Sequence, residues 1–209
     1  MKTDDWIDCL ARDAGPVDRT RPLWRLGGAL GAAVLISVLA SVGVLGVDPQ
    51  LQLNAPTALK FAYLLALLGG CVRLLWRLGR PGLNPRRAQG GVLGVWLAMG
   101  GVALAVLLFA ATPAQELLLG QSWTTCPRQV AALALPALLL GLWGMQGLAP
   151  TQARAAGLVT GLTAGAIGAL GYALHCPEWS PLFVWVWYGL GMLVPAACGW
   201  LLGPRLLRW

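Results

Sequence analysis

The chain carries few charged residues. Only 11% of its 209 residues are Asp, Glu, Lys or Arg, whereas 57% are hydrophobic. A soluble globular domain has about a quarter of its residues charged, because its surface has to be hydrated. The composition therefore excludes an ordinary soluble domain and indicates a membrane protein.

Ionisable side chains are missing from the middle of the long apolar runs. Proton-coupled transporters and pumps carry Asp, Glu, Lys or His within the bilayer, where these groups form the ion pathway. A permease for small solutes or metals would need polar groups along a pore, and the runs contain only scattered Ser, Thr and Gln. The sequence argues against both kinds of transporter.

The sequence also lacks the usual signatures of catalysis and of nucleic-acid binding. It has no nucleophile, base and acid set, no phosphate-binding loop, no haem-attachment motif and no C-x-x-C pair. The net charge of +7 comes from bases that flank apolar runs, where membrane orientation and contact with anionic lipid account for them. We predict that the chain is not an enzyme, needs no cofactor and does not bind nucleic acid directly.

Long apolar runs dominate what is present. A bilayer core of about 30 Å requires about 20 apolar residues in a helix. Six runs approach this length: Leu26–Gly46, Leu59–Leu78, Gly91–Ala111, Val130–Leu148, Leu158–Leu174 and Leu182–Leu202. We predict an all-α integral membrane protein with six transmembrane helices and both termini on one side of the bilayer.

The distribution of Lys and Arg predicts which side that is. Thirteen of the 15 bases flank the termini, the connection between runs two and three, or the connection between runs four and five. The opposite side has only Lys60 and Arg128. Because short cytoplasmic loops are enriched in Lys and Arg, we predict cytoplasmic termini and outward-facing connections at residues 126 and 176, which face the periplasm if the cell is Gram-negative.

The N-terminal segment has the pattern of a short amphipathic helix. Thr3 is its predicted N-cap, and Trp6, Ile7 and Leu10 recur at helical spacing on one face. An isolated helix of about a dozen residues is marginal in water, so this face needs a surface. Acidic residues on the polar face favour a soluble partner over an anionic membrane; they include Asp4, Asp5 and Asp8.

Two parts of the chain follow from these patterns. Residues 1–22 are predicted to form a cytoplasmic partner-binding segment, and residues 23–209 a six-helix transmembrane domain. Too few residues flank the runs for an independently folded soluble domain.

Reactive residues concentrate in two outward connections. Cys176 lies beside His175 between the last two runs, and Cys126 lies in the connection before run four. Two such cysteines form a structural disulfide, or act as a reversible thiol or metal sensor. His175 and Glu178 add metal-capable groups, but adjacent residues often point apart, so metal binding stays open.

A thiol-disulfide oxidoreductase that passes electrons to a quinone is the alternative function. It would use Cys126 and Cys176 as its redox pair. The lack of a second cysteine pair on the outward side counts against it.

Small and aromatic residues predict how the helices pack. Gly157, Gly161 and Gly165 recur every four residues in run five, which allows close helix packing within the chain or in a homo-oligomer. Aromatic residues cluster toward both ends of the runs, and we assign them to membrane-interface belts. The outer belt comprises Trp123, Trp179, Trp185, Trp187 and Tyr188.

Several segments together resemble one known family. They are Met1 to Asp5 leading to Ala14-Gly15-Pro16-Val17, the Cys126-Pro127 and His175-Cys176 connections, Phe183 through Val186-Trp187-Tyr188-Gly189-Leu190-Gly191, and the ending Leu206-Leu207-Arg208-Trp209. In this order, with six spans, the chain resembles the NrsF-type anti-sigma factors, the negative regulators of sigma factor F. The likeness covers nearly the whole chain.

The resemblance implies a function that composition and spacing do not name. It implies that the N-terminal segment holds an extracytoplasmic-function sigma factor inactive at the membrane. It also implies that heavy-metal or oxidative stress, sensed outside by Cys126 and Cys176, releases that sigma factor.

Overall fold

The structure is a computed structural model that describes residues 3, 6–8, 20–49, 54–80, 82–110, 112–148 and 150–208. Regular structure within this part of the chain is helical throughout. We label the helices α1 (Arg21–Ala40, continued by a π-helical turn, Ser41–Leu45), α2 (Ala55–Leu78), α3 (Arg86–Phe109), α4 (Ala114–Leu119), α5 (Cys126–Met145), α6 (Ala153–Ala173) and α7, which joins Pro181–Phe183, the π-helical turn Val184–Tyr188 and Gly189–Leu206. Among the described residues six helices, all except α4, are long and apolar enough to cross a membrane. The predicted all-helical architecture, with six helices of membrane-spanning length, is confirmed.

Each of the six long helices begins before the start of the apolar run predicted for it. At α2, Asn54 caps the helix by accepting a hydrogen bond from the Thr57 backbone N–H at 3.0 Å, and Pro56 occupies the first turn. Proline also stands in the first turn of α5 and of α7. Proline suits this position because the first amides of a helix have no partner within it, so polar caps and prolines extend the helices beyond the hydrophobic stretch.

The two ends of the bundle differ in composition. One end, here called the cysteine end, comprises residues 46–48, Asn54, 110, 112–125 and 174–180. The other, the arginine end, comprises the start of α1, residues 79–80 and 82–85, residues 146–148 and 150–152, and the end of α7. At the arginine end, guanidinium groups stack on tryptophan rings: Arg25 on Trp143, Arg80 on Trp76 and Arg154 on Trp200.

Helix α6 is the most enclosed of the six long helices, and glycine is the reason. A Cβ at Gly157 would collide with the Gly199 backbone in α7, and one at Gly161 would collide with the Pro195 carbonyl oxygen. Farther along, Gly168 meets the backbone of α5, and Gly171 meets Ser37 of α1. The glycines predicted to allow close packing therefore do so within the chain. By contrast, Gly27 and Gly31 of α1 have no such neighbour.

Helix α3 is the least enclosed of the six. Its contact with α7 includes Trp185, whose indole Nε1 donates to the Trp96 carbonyl at 3.1 Å and whose ring lies 4.7 Å from that of Trp96. Between this contact and Gln89 lies an apolar groove of about 550 Å³, bounded by α2, α3, α6 and α7. Trp185, assigned to an interface belt from sequence, thus also joins two helices.

The glycine contacts generate a stability prediction. Gly161→Leu would place a side chain against the α7 backbone, which cannot yield as a flexible side chain can. We expect a loss of about 3 kcal/mol or more, the upper end of the cost of overpacking a core. Thermal unfolding of the purified protein in detergent measures it.

Gly101→Leu is the matched control, because a Cβ at this exposed site in α3 has no neighbour within 4 Å. We expect its unfolding temperature to stay within about 2 °C of the parent protein. Equal destabilisation by the two substitutions would contradict the packing described for α6 and α7.

Candidate functional site

The connection between α6 and α7, residues 174–180, is the centre of the cysteine end. Its Leu174 carbonyl accepts from the Asp48 N–H at 3.1 Å. Its Ser180 hydroxyl donates to the Leu117 carbonyl at 2.9 Å, and its Glu178 carboxylate accepts from the Gln121 N–H at 2.6 Å. The three partners belong to other connections or to α4, so one loop joins most of this end of the bundle.

Glycine at position 120 permits one of these bonds. Gly120 has φ +49°, and a Cβ there would overlap the Glu178 carboxylate. This backbone region is costly for other residues. Gly120 therefore brings the Gln121 N–H within reach of Glu178.

Lys60 of α2 forms hydrogen bonds with the same loop. It lies in the second turn of α2 and is only 2% exposed. Its ammonium donates to the Cys176 carbonyl at 2.9 Å and to the Glu178 carbonyl at 3.2 Å. A buried ammonium is tolerated only where hydrogen bonds replace its water, so Lys60 holds the loop and the loop solvates Lys60.

Sequence reasoning missed this role, because Lys60 was counted only as an outward base. The available signal was its position: a lone Lys among apolar residues inside the second turn of a helix cannot easily reach water. The hydrogen-bond partners of Lys60 could not be predicted from the sequence, since they lie 116 and 118 positions away.

The two predicted cysteines come together in one apolar cluster. Cys126 is the first residue of α5 and is 0% exposed, while Cys176 is 1% exposed. They lie within electrostatic range of each other and of Lys60. Both are free thiols, so the structure shows neighbouring buried thiols rather than the disulfide that the sequence left open.

Polar groups gather around the Cys176 sulfur in particular. The Ser122 hydroxyl lies 3.8 Å from it. The Tyr188 hydroxyl faces it from α7, and Tyr188 is fully buried without a hydrogen-bond partner for that oxygen. The assignment of Tyr188 to an interface belt was therefore wrong, because the π-helical turn that contains it directs its ring into the core.

His175 and Glu178 do not join the thiols in a metal site. The His175 Nδ1 lies 3.2 Å from the Gly46 carbonyl oxygen, and its ring packs against Tyr172. The Glu178 carboxylate accepts a hydrogen bond from the Gln121 N–H. Within the described part of the chain, no three His, Cys, Asp or Glu side chains are placed to hold a metal ion.

The N-terminal segment is described only in part. Residues 6–8 are helical, with Trp6 56% exposed, Ile7 58% exposed and Asp8 also exposed. Asp4, Asp5 and Leu10 lie outside the described residues. The two apolar side chains thus present an exposed surface.

Comparison with known proteins assigns the chain to a family. Residues 10–209 match the family described as NrsF, negative regulator of sigma F. A protein of Azospira oryzae named probable anti-sigma-F factor NrsF is 38% identical over 218 aligned positions, and the anti-sigma-F factor NrsF of Caulobacter vibrioides is 38% identical over 214; each alignment covers all of both chains. No solved structure matches the chain. The resemblance noted in the sequence is confirmed: the chain belongs to the NrsF family.

Proposed function

We propose that this protein is a membrane-bound anti-sigma factor that holds an extracytoplasmic-function sigma factor inactive. The observation that carries the proposal is similarity along the whole chain to two proteins named anti-sigma-F factors. The protein acts by binding and not by catalysis. Residues 1–22 are the sigma-binding segment, and residues 23–209 are the transmembrane sensor domain.

The proposed location is the bacterial inner membrane, with the arginine end in the cytoplasm. Six helices of sufficient length and the bias of Lys and Arg support this. Arginines stacked on tryptophans at that end are typical of side chains anchored at a membrane interface. Of the two bases in the helix turns next to the cysteine end, Lys60 is buried and Arg128 is exposed.

Reporter fusions test this orientation. Green fluorescent protein fused after residue 209 should fluoresce, and alkaline phosphatase fused there should be inactive, because the C-terminus lies in the cytoplasm. A fusion after Gln121 should give the opposite pattern. Phosphatase activity at the C-terminus would contradict the proposed orientation.

Trp6 and Ile7 are the proposed apolar anchors for the sigma factor. Large apolar residues of this kind are the usual centres of a protein interface, where they lose water on binding. Asp4, Asp5 and Asp8 would meet basic residues of the partner at the rim, with Leu10 extending the apolar face.

We expect Trp6→Ala combined with Ile7→Ala to weaken sigma-factor binding by about 30-fold, or about 2 kcal/mol, as for interface hot spots. Titration of a labelled sigma factor against the protein in nanodiscs measures the affinity. Lys2→Ala is the control, since Lys2 precedes Thr3, the predicted N-cap of the helix. Deletion of residues 1–16 should raise transcription from the sigma factor's promoters, and unchanged transcription with a correctly inserted truncation would refute the assignment.

We propose that reaction of the outward thiols moves the N-terminal segment through α5 and α1. Helix α5 starts at Cys126 and ends near Trp143, on which Arg25 of α1 stacks. A Cβ at Gly144 would meet Leu26 and Ala29 of α1. The first turns of α1, which follow the sigma-binding segment, therefore rest on the end of α5 that is remote from the thiol.

Cysteine substitutions test the sensing step. Cys126→Ser or Cys176→Ser should abolish induction by cadmium or a thiol oxidant while basal repression is kept, because each removes one of the two sulfur atoms that respond together. A promoter reporter in living cells measures both quantities. Cys198→Ser, at a half-buried site in α7 away from the pair, should respond normally. A full response with both outward thiols replaced would show that they are not the sensor.

A further inference from the structure

The apolar groove beside α3 adjoins a basic notch at the arginine end of the bundle. The notch has a volume of about 390 Å³ and lies between the start of α6 and the end of α7, where Arg154 and Arg208 line it. Ala155 lines both the notch and the groove. One continuous surface therefore has a cationic part at the end of the bundle and an apolar part along the helices.

The positions of the lining residues on α7 agree with this continuity. Leu190 and Leu193 line the groove, and Pro204 and Arg208 line the notch. Successive members of this set are three, eleven and four residues apart, which is close to one, three and one turns of an α-helix. The groove and the notch therefore lie on the same face of α7.

The groove has the form and composition of a site for a hydrocarbon chain. Its lining on α2 runs from Leu67 to Leu78, which is three turns or about 16 Å. The stacked rings of Trp96 and Trp185 bound the end that is remote from the arginines. Apart from Gln89, the side chains that line it carry neither an amide nor a charge. An acyl chain can occupy such a groove along its length.

Guanidinium groups give the notch a positive charge. Arg205 lies beside Arg154 and Arg208, and Arg154 stacks on the Trp200 ring. The acids that follow residue 20 in the sequence all lie at the cysteine end: Asp48, Glu116 and Glu178. Basic pockets between helices at the cytoplasmic side of a membrane bind phospholipid headgroups, and arginine forms paired hydrogen bonds with phosphate. The notch therefore matches the phosphate of a lipid with net negative charge.

We propose that one anionic phospholipid binds this surface, with its phosphate against Arg154 and Arg208 and an acyl chain in the groove. The chain fills the space between α3, the least enclosed long helix, and the rest of the bundle. The lipid thus connects α3 to α6 and α7. This inference goes beyond the proposed function and rests only on the membrane location, so its test needs no sigma factor.

Photocrosslinking in nanodiscs tests the selectivity for lipid. The full-length protein is reconstituted in phosphatidylcholine with a small fraction of a probe lipid, either phosphatidylglycerol or phosphatidylcholine, that carries a diazirine on its acyl chain. Light expels N2, the carbene inserts into a neighbouring side chain, and mass spectrometry quantifies the modified peptides. At Leu93 and Leu190, which line the groove, we expect about fivefold more modification by the phosphatidylglycerol probe, the effect of one basic residue on an anionic lipid.

Equal modification by the two probes would overturn the proposal. Both leaflets of the nanodisc contain the probe, so the result does not depend on the orientation of the protein in the cell. Inorganic phosphate added in excess should leave the modification unchanged, because the acyl chain contributes to binding. Loss of modification in phosphate would show that a free anion occupies the notch, and the assignment to a lipid would fail.

Substitution of the two arginines tests the headgroup contact. Arg154→Gln combined with Arg208→Gln should lower modification by the phosphatidylglycerol probe to the level of the phosphatidylcholine probe. Arg73→Gln combined with Arg128→Gln is the matched control, because it removes the same charge from exposed sites outside the notch and the groove. Selectivity that persists without Arg154 and Arg208 would exclude them as ligands of the headgroup.

A substitution within the groove tests the position of the chain. Leu93 and Leu104 of α3 are both 55% exposed, but only Leu93 lines the groove. Leu93→Trp should fill the groove and abolish modification at Leu190, whereas Leu104→Trp should leave it unchanged. The unfolding temperature of each protein in nanodiscs confirms that it is folded. The same modification of Leu190 in folded Leu93→Trp and Leu104→Trp proteins would show that the chain does not lie in the groove.

Discussion

The burial of the Lys60 ammonium constrains the whole cysteine end of the bundle. A charge that cannot reach water has to be solvated by the protein, and removal of one side of such a buried arrangement costs about 3–5 kcal/mol. Here the solvating atoms are the backbone carbonyls of Cys176 and Glu178. The loop is thereby fixed over α2, which in turn places Cys176 beside Cys126 and brings Ser180 and Glu178 to their partners on α4 and Gln121.

Packing differs between the helices that surround this site. Helices α6 and α7 meet backbone to backbone through Gly157, Gly161 and Gly199, which leaves little freedom for one to move against the other. Helices α2 and α5 contribute Lys60 and Cys126 and contact α6 partly through longer side chains. Of the helices at the thiol site, α5 is the one whose far end lies against α1. The rigid pair thus provides a fixed reference for any movement of α5.

Periodicity and composition predicted the six helices and the close glycine packing of α6, and they left open whether the two cysteine connections meet. These features depend on apolar length and residue size, which a sequence displays directly. The roles of Lys60 and Ser122 depend on contacts with residues 54 to 118 positions away, and a single sequence does not display those. His175 was a reasonable metal ligand by type, yet its ring turns toward Gly46 while the Cys176 sulfur faces the core.

The π-helical turn at Val184–Tyr188 has a consequence for how this sequence can change during evolution. Such a turn contains one residue more than an α-helical turn would. Loss of a single residue from it would return the segment to α-helical spacing and rotate everything on one side by about 100° relative to the other. Tyr188 would then leave the core, or the glycine-lined face of α7 would turn away from α6. In this segment, therefore, conservative replacement of side chains is compatible with the fold, whereas a change in length is not.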